Sequence, residues 1–313
     1  MWPFIIVLIV IFSLFSLFML FSYFAFYQAF YNGKRKKIDL EPLTGEQFDR
    51  YDTRSLINKA KEIPFEEVWI KSHDGLNLYG RLYYQASNAP VHIQFNGYKG
   101  NGLRDFSGGL QLALKLGANV ILVDQRAHGA SSGNVISFGI KERFDCLDWV
   151  NYAIKRFGED TKIFLDGVSM GAATVLMASN LPFPKNVIGI IADCPYNNPK
   201  DIILKTVKDL GISPKIGYPL LLVGSKVFGH FNLNETNALS CVKETKIPIL
   251  IIHGNNDTIV PIEMSKKIKE VNEDLVRFVE VDGATHGLSY LQNYDLYARS
   301  VEEFTKDCIN RNL

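Results

Sequence analysis

Gly167-Val168-Ser169-Met170-Gly171 decides how this chain is read, because it lies between an apolar run and a helix-forming one. The segment Lys162-Ile163-Phe164-Leu165-Asp166 predicts a short buried strand, and Ala172-Ala173-Thr174-Val175-Leu176-Met177-Ala178 predicts a helix. A serine at a sharp strand-to-helix turn is held in strained backbone geometry with its hydroxyl projecting outward. Glycines on either side let strand and helix approach without a Cβ clash. The context points to a nucleophile. The plainer reading of the same five residues is a tight turn with a capping serine.

A nucleophilic serine needs a base, and the base needs a carboxylate to fix its tautomer and stabilise its cation. Pro248-Ile249-Leu250-Ile251-Ile252 reads as another buried strand, and the loop after it carries Asp257. Val276-Arg277-Phe278-Val279-Glu280-Val281 reads as a further strand, followed by Asp282-Gly283-Ala284-Thr285-His286-Gly287. Asp257 and His286 are thereby expected on the same edge of a parallel sheet, in the order Ser, Asp, His. Asp193, at the end of the run 187–192, is the alternative acid. Of the other histidines, His73 and His92 read as turn or strand residues, His230 as a lone residue, and His253 as part of the turn leading to Asp257. His128 reads as a hydrogen-bonding element of its loop.

From about residue 65 onward the chain resembles the α/β-hydrolase superfamily, closest to its membrane-anchored esterase and serine-aminopeptidase-like (S33-type) members. Gln94-Phe95-Asn96-Gly97-Tyr98, after the strand Val91-His92-Ile93, resembles the family's oxyanion loop. Val123-Asp124-Gln125-Arg126-Ala127-His128-Gly129-Ala130-Ser131-Ser132-Gly133 resembles its Asp-x-Arg-x-His-Gly-x-Ser-x-Gly loop. Asn96 departs from the pattern, since many relatives carry His before the glycine. The resemblance implies an α/β fold: a mostly parallel central sheet flanked by helices, with a helical cap insertion. It implies Ser169, Asp257 and His286 as catalytic residues, and the main-chain N–H groups of Tyr98 and Met170 as the oxyanion hole. The implied activity is cleavage of carboxylic esters, with thioester, lipase-like or peptidase activity by the same triad as alternatives. A non-catalytic, membrane-tethered binding or scaffold protein on the same fold is the alternative from a different class.

The N-terminus carries the second strong signal. No charged side chain occurs from Met1 to Gly33, and the residues from Phe4 to Phe21 are almost all apolar. About 20 such residues span a bilayer's hydrocarbon core as a helix. Tyr23, Tyr27 and Tyr31 recur at helical spacing, as an interfacial aromatic belt would, and Lys34-Arg35-Lys36-Lys37 follows. A cleavable signal peptide calls for positive charge before the apolar run and small residues at its exit. Neither is present, so residues 1–33 read as an uncleaved transmembrane anchor. Positive flanks stay cytoplasmic, which predicts a single-pass membrane protein with the hydrolase domain in the cytoplasm. Cys146, Cys194, Cys241 and Cys308 are scattered without disulfide-framework or zinc spacing.

Composition bounds the remainder. The chain has 313 residues; its 34 Lys and Arg, less the four at 34–37, leave 30 against 33 Asp and Glu. That mildly acidic balance does not fit a nucleic-acid-binding surface. There is no cluster with metal-ligand spacing and no glycine-rich phosphate loop, so neither a metal nor another cofactor is expected. Residues 34–64 read as a basic flank and linker, and 65–313 as one domain. Glu67–Lys71 and Leu76–Tyr84 flank an Asp-Gly turn and predict a hairpin. Further strands are expected near 91–95, 119–123, 162–166, 187–192, 248–252 and 276–281, alternating with helices. Between about 197 and 246 that rhythm breaks. Ile202, Ile203, Thr206, Val207 and Leu210 make one apolar group, and Tyr218, Leu220, Leu221, Leu222, Val223, Val227, Phe228 and Phe231 a second. This is read as a cap forming an apolar acyl pocket for a small-molecule or lipid ester; plain cover for the core is the alternative.

Overall fold

The computed structural model describes residues 2–33 and 50–311. The basic cluster at 34–37 and the linker as far as 49 lie outside them. Eight strands form one sheet: β1 (Glu66–Lys71), β2 (Asn77–Tyr83), β3 (Val91–Phe95), β4 (Asn119–Asp124), β5 (Ile163–Val168), β6 (Val187–Asp193), β7 (Ile249–Gly254) and β8 (Val276–Val281). Their order across the sheet is β1-β2-β4-β3-β5-β6-β7-β8. The β1–β2 hairpin joins β4 antiparallel, and every pairing from β4 to β8 is parallel. The ends of the expected strands lie within two residues of those observed.

Composition explains this layout. Strands β3 to β6 and β7 are buried almost throughout, as continuous apolar runs covered by helices on both faces must be. The edge strand β1 instead alternates, hiding Val68 while exposing Glu67 and Trp69. Helices α1 (Trp2–Ala29) and α2 (Thr53–Lys61) precede the sheet, and α3 (Gly102–Asp105) and α4 (Ser107–Lys115) follow β3. Next come α5 (Glu142–Phe157) after β4 and α6 (Met170–Ala178) after β5. The insertion between β6 and β7 holds α7 (Pro199–Asp209), α8 (Pro214–Val227) and α9 (Ala238–Glu244). Helix α10 (Ile262–Glu270) links β7 to β8, and α11 (Ser289–Gln292) and α12 (Tyr294–Arg311) close the chain.

Helix α1 is long and apolar enough to cross a membrane, with a mean hydropathy of 3.1 over its most apolar window. From Trp2 to Phe18 it is exposed on all sides. Its last turns behave differently. Ser22, Phe26 and Phe30 are buried, with Met19, Ala25 and Ala29 half-buried, so a stripe at three- and four-residue steps faces the protein. That stripe packs along α8. Gly224 permits the approach, since a Cβ there would fall 2.6 Å from the Ser22 carbonyl oxygen. Phe30 is fully buried, edge-on to Phe138 and Phe231 with ring centroids 5.7 and 5.3 Å away.

Candidate active site

The strand β5 and helix α6 meet at Ser169, whose φ of 55° and ψ of −115° lie in a region that non-glycine residues avoid. Two glycines make the turn possible. A Cβ on Gly167 would collide with the backbone of Gly171, and one on Gly171 would land on the Phe95 carbonyl oxygen. The elbow is thereby pressed against the carboxyl end of β3. Asp193 holds the other side: its carbonyl accepts the Ser169 N–H at 2.8 Å.

Ser169, His286 and Asp257 come together from three loops at this sheet edge. Ser169 Oγ lies 2.8 Å from His286 Nε2, and His286 Nδ1 lies 2.7 Å from Asp257 Oδ2. A carboxylate only accepts, so Nδ1 carries the proton and Nε2 is left to accept from the serine hydroxyl. Asp257 Oδ1 accepts the N–H groups of Ile259 and Val260 at 2.9 and 2.8 Å. Burial alone pushes the Asp257 carboxyl up, but hydrogen bonds from His253 and His286 outweigh it and hold it well below the usual carboxylate range.

His253 is the residue that sequence reasoning passed over. Its Nε2 faces two acceptors, the Val260 carbonyl at 2.9 Å and Asp257 Oδ2 at 3.2 Å, so that nitrogen donates. Its Nδ1 lies 2.7 Å from Ser265 Oγ. The fully buried imidazole therefore braces Asp257 from behind. Its spacing of four residues from Asp257, at the end of a strand, was the available signal.

Asp193, the alternative acid, does not replace Asp257, to which His286 Nδ1 is bonded. Burial raises the Asp193 carboxyl to about 6, against the nearby charge of His253 and a hydrogen bond from Tyr297.

The loop after β3 is held on every side. A Cβ on Gly97 would sit 3.5 Å from Ser169 Cβ, which puts the loop directly beside the elbow. Asp105 Oδ2 accepts the Gly97 N–H at 2.9 Å, and His128 Nε2 accepts that of Lys99 at 3.0 Å. His128 can do so because Nδ1 donates to the Arg126 carbonyl at 2.8 Å, which fixes its tautomer. Arg126 in turn forks onto Asp145 at 2.6 and 2.7 Å and onto Asp74 at 2.8 and 3.1 Å. Asn96 accepts the Gln125 N–H at 2.9 Å and donates to the Gly97 carbonyl at 2.8 Å. The Tyr98 and Met170 amides flank the elbow, and neither N–H has a hydrogen-bond partner among the described residues.

Two contacts tie this loop to α1. The Tyr98 hydroxyl donates to the Ala29 carbonyl at 2.7 Å, and Lys99 Nζ donates to that of Gln28 at 3.0 Å. A cleft of about 330 Å³ opens at Ser169, lined by Gly97, Tyr98, Val168, His286 and Leu288, with Thr53 and Ile57 from α2. None of its lining residues comes from 197–246. The cap's apolar stripe around Leu222 and Phe228 is occupied instead by α1. Helix α2, read from sequence as linker, supplies part of the wall.

Among the described residues, two groups could offer ligand atoms to a metal: Cys194, Asp257 and His286, and His73, Asp145 and Asp148. In both, the carboxylates at the centre are already engaged, by the two histidines and by Arg126.

No family model matches the chain. YqkD, an uncharacterized protein of Bacillus subtilis, is 27% identical over 198 residues, covering 62% of this chain and 64% of YqkD. The thiohydrolase aneE of Aspergillus aculeatus is 32% identical over 140 residues, 43% of each chain. Among solved structures, the Pyrococcus furiosus esterase Pf2001 superposes with a TM-score of 0.64 at 23% identity, covering 85% of this chain and 96% of that one. The sheet order, the strained elbow and these likenesses make the chain a protein of the α/β-hydrolase fold.

Proposed function

We propose that this chain is a membrane-anchored serine hydrolase that cleaves carboxylic esters. The observation that carries the reading is the hydrogen-bonded series from Ser169 Oγ through His286 to Asp257, with steps of 2.8 and 2.7 Å. Ser169 attacks the acyl carbonyl while His286 Nε2 takes its proton, and Asp257 stabilises the imidazolium so formed. The Tyr98 and Met170 amides receive the developing oxyanion, each such donor being worth about 100- to 1,000-fold in turnover. His286 returns the proton to the leaving alcohol. Water, deprotonated by the same imidazole, then releases the acyl group.

The cleft's Val168, Ile57, Ile259 and Leu288 suit an apolar acyl chain. Cleavage of thioesters is the second reading, favoured by the likeness to thiohydrolase aneE. Helix α1, all but bare of protein from Trp2 to Phe18, supports a transmembrane anchor, and the basic residues at 34–37 support a cytoplasmic hydrolase domain.

The test is fluorophosphonate labelling of the full-length chain in detergent, beside its Ser169→Ala variant, read by intact mass. The parent should gain one adduct and the variant none. A folded parent that gains no adduct overturns the reading and leaves a binding or scaffold role on this fold. Matched ester and thioester series then separate the two hydrolytic readings.

A further inference from the structure

Three of the insertion's four exposed large apolar residues lie together at the turn between α7 and α8, and the fourth, Val227, ends α8. Leu210, Ile212 and Ile216 are 70, 47 and 64% exposed there, more than an apolar side chain in a folded domain needs to be. The turn is well defined. Gly211 takes it at φ 74°, and the Ile212 N–H donates to the Val207 carbonyl at 3.1 Å.

Where this turn points follows from the pairing of α8 with α1. Gly224 sits against Ser22 and Phe26, and Phe228 lies 5.1 and 6.0 Å from Tyr23 and Phe26 between ring centroids. Phe231, just past the end of α8, lies 5.3 Å from Phe30, just past the end of α1. Both chains ascend together, so the two helices run parallel. The N-terminus of α8 therefore points the same way as the N-terminus of α1. Pro214 is ten residues before Gly224, which at 1.5 Å per residue carries the turn up to about 15 Å past the level of Ser22. A hydrocarbon core needs about 20 residues of α1, which places its near boundary close to Phe21.

We infer that the α7–α8 turn is a second membrane contact. Leu210, Ile212 and Ile216 enter the leaflet nearest the domain, beside the anchor, as interfacial apolar elements do. The inference rests on the proposed anchoring of α1 and commits to the lipid bilayer as occupant, because the apolar tip continues the lipid-facing surface of that helix. The charges nearby fit. Lys208 and Lys215 are exposed, with stems long enough to return their ammonium groups to the headgroups, and Asp209 is paired with Lys205.

The test uses the full chain in phosphatidylcholine–phosphatidylglycerol vesicles. All four native cysteines are buried, so an introduced surface cysteine can be labelled selectively. Three variants carry an environment-sensitive fluorophore: Ile216→Cys at the tip, Phe12→Cys in the anchor, and Glu159→Cys at the opposite edge of the sheet. Quenching by nitroxide-bearing lipid should be similar within about twofold at 216 and 12, and at least fivefold weaker at 159. If the probe at 216 follows that at 159 while that at 12 stays quenched, the turn is in water and the inference is wrong. If the probe at 12 also follows that at 159, the anchor reading falls and takes the inference with it.

Discussion

Replacing Phe30 by alanine should destabilise the α/β domain, although Phe30 lies one residue beyond the end of a helix apolar enough to cross a membrane. Its ring is fully buried between Phe138 and Phe231, both edge-on, with Phe26 against it at 6.3 Å. Truncating a buried phenylalanine costs about 3–5 kcal/mol, the transfer term plus a cavity the neighbours cannot close. For a domain of this size that corresponds to a fall in unfolding midpoint on the order of 10 °C. The assay is thermal unfolding of the detergent-solubilised full chain, followed through the fully buried Trp149. Phe12→Ala is the control. Phe12 is 71% exposed, so its loss should move the midpoint by no more than an ordinary surface change, about 0.5 kcal/mol. Equal, small effects of the two substitutions would refute the docking of the helix end and make α1 a tether only. The reasoning has a practical corollary: a soluble version begun after residue 37 removes Phe26 and Phe30 from the core and should be less stable than the full chain.

His253→Gln should lower kcat about 10- to 100-fold with little change in KM, because one hydrogen bond to the buried Asp257 carboxylate, worth about 1.5–3 kcal/mol, is lost or weakened. An unchanged kcat would remove His253 from the positioning of Asp257. Gly171→Ala should abolish fluorophosphonate labelling, since its methyl would occupy the Phe95 carbonyl position; labelling at the parent rate would mean that the elbow is looser than its geometry. Asp193, raised to about 6 in the folded chain, binds a proton there that the unfolded chain, near 3.9, has already released. Stability should therefore fall as pH rises from about 4 to about 6, by roughly 1–3 kcal/mol, and Asp193→Asn should flatten that slope; a parent curve that is flat over this window contradicts the assignment.

The sheet and the elbow were legible because each depends on local chemistry. A strand buried on both faces must be continuously apolar, so β5 and β7 stand out between polar loops. A serine at a strained strand-to-helix turn needs glycines at fixed offsets, so Gly167 and Gly171 mark Ser169 without any tertiary information. Asp257 and His286 followed from parallel strands ending on one edge. His253 did not, because its four-residue spacing from Asp257 at the end of a strand is a signal that a histidine merely filling a turn can share. The wall of the cleft was misjudged for a related reason. Ile57 and Thr53 look like residues of a polar linker until α2 packs on α4 beside the site.

Helix α1 shows where hydropathy stops being informative. An amphipathic helix declares its buried face by contrast with a polar one, but a segment apolar all round carries no such contrast. Tyr23, Tyr27 and Tyr31 stand out by their helical spacing, but the side chains buried by docking are Ser22, Phe26 and Phe30, with Tyr23 edge-on to Phe228 and Tyr31 half-buried beside them. The clues to it were small residues rather than large ones: Ser22 on one helix and Gly224 on the other, where backbones approach closely. A tether needs only length and apolarity. This helix also supplies the acceptors for Tyr98 and Lys99, which hold the loop beside Ser169, and it fills the groove of the insertion. The buried core thus extends into the helix as far as Ser22. Because the loop that would bind the oxyanion is bonded to the helix backbone, any movement of α1 relative to the sheet must strain that loop or break those two bonds.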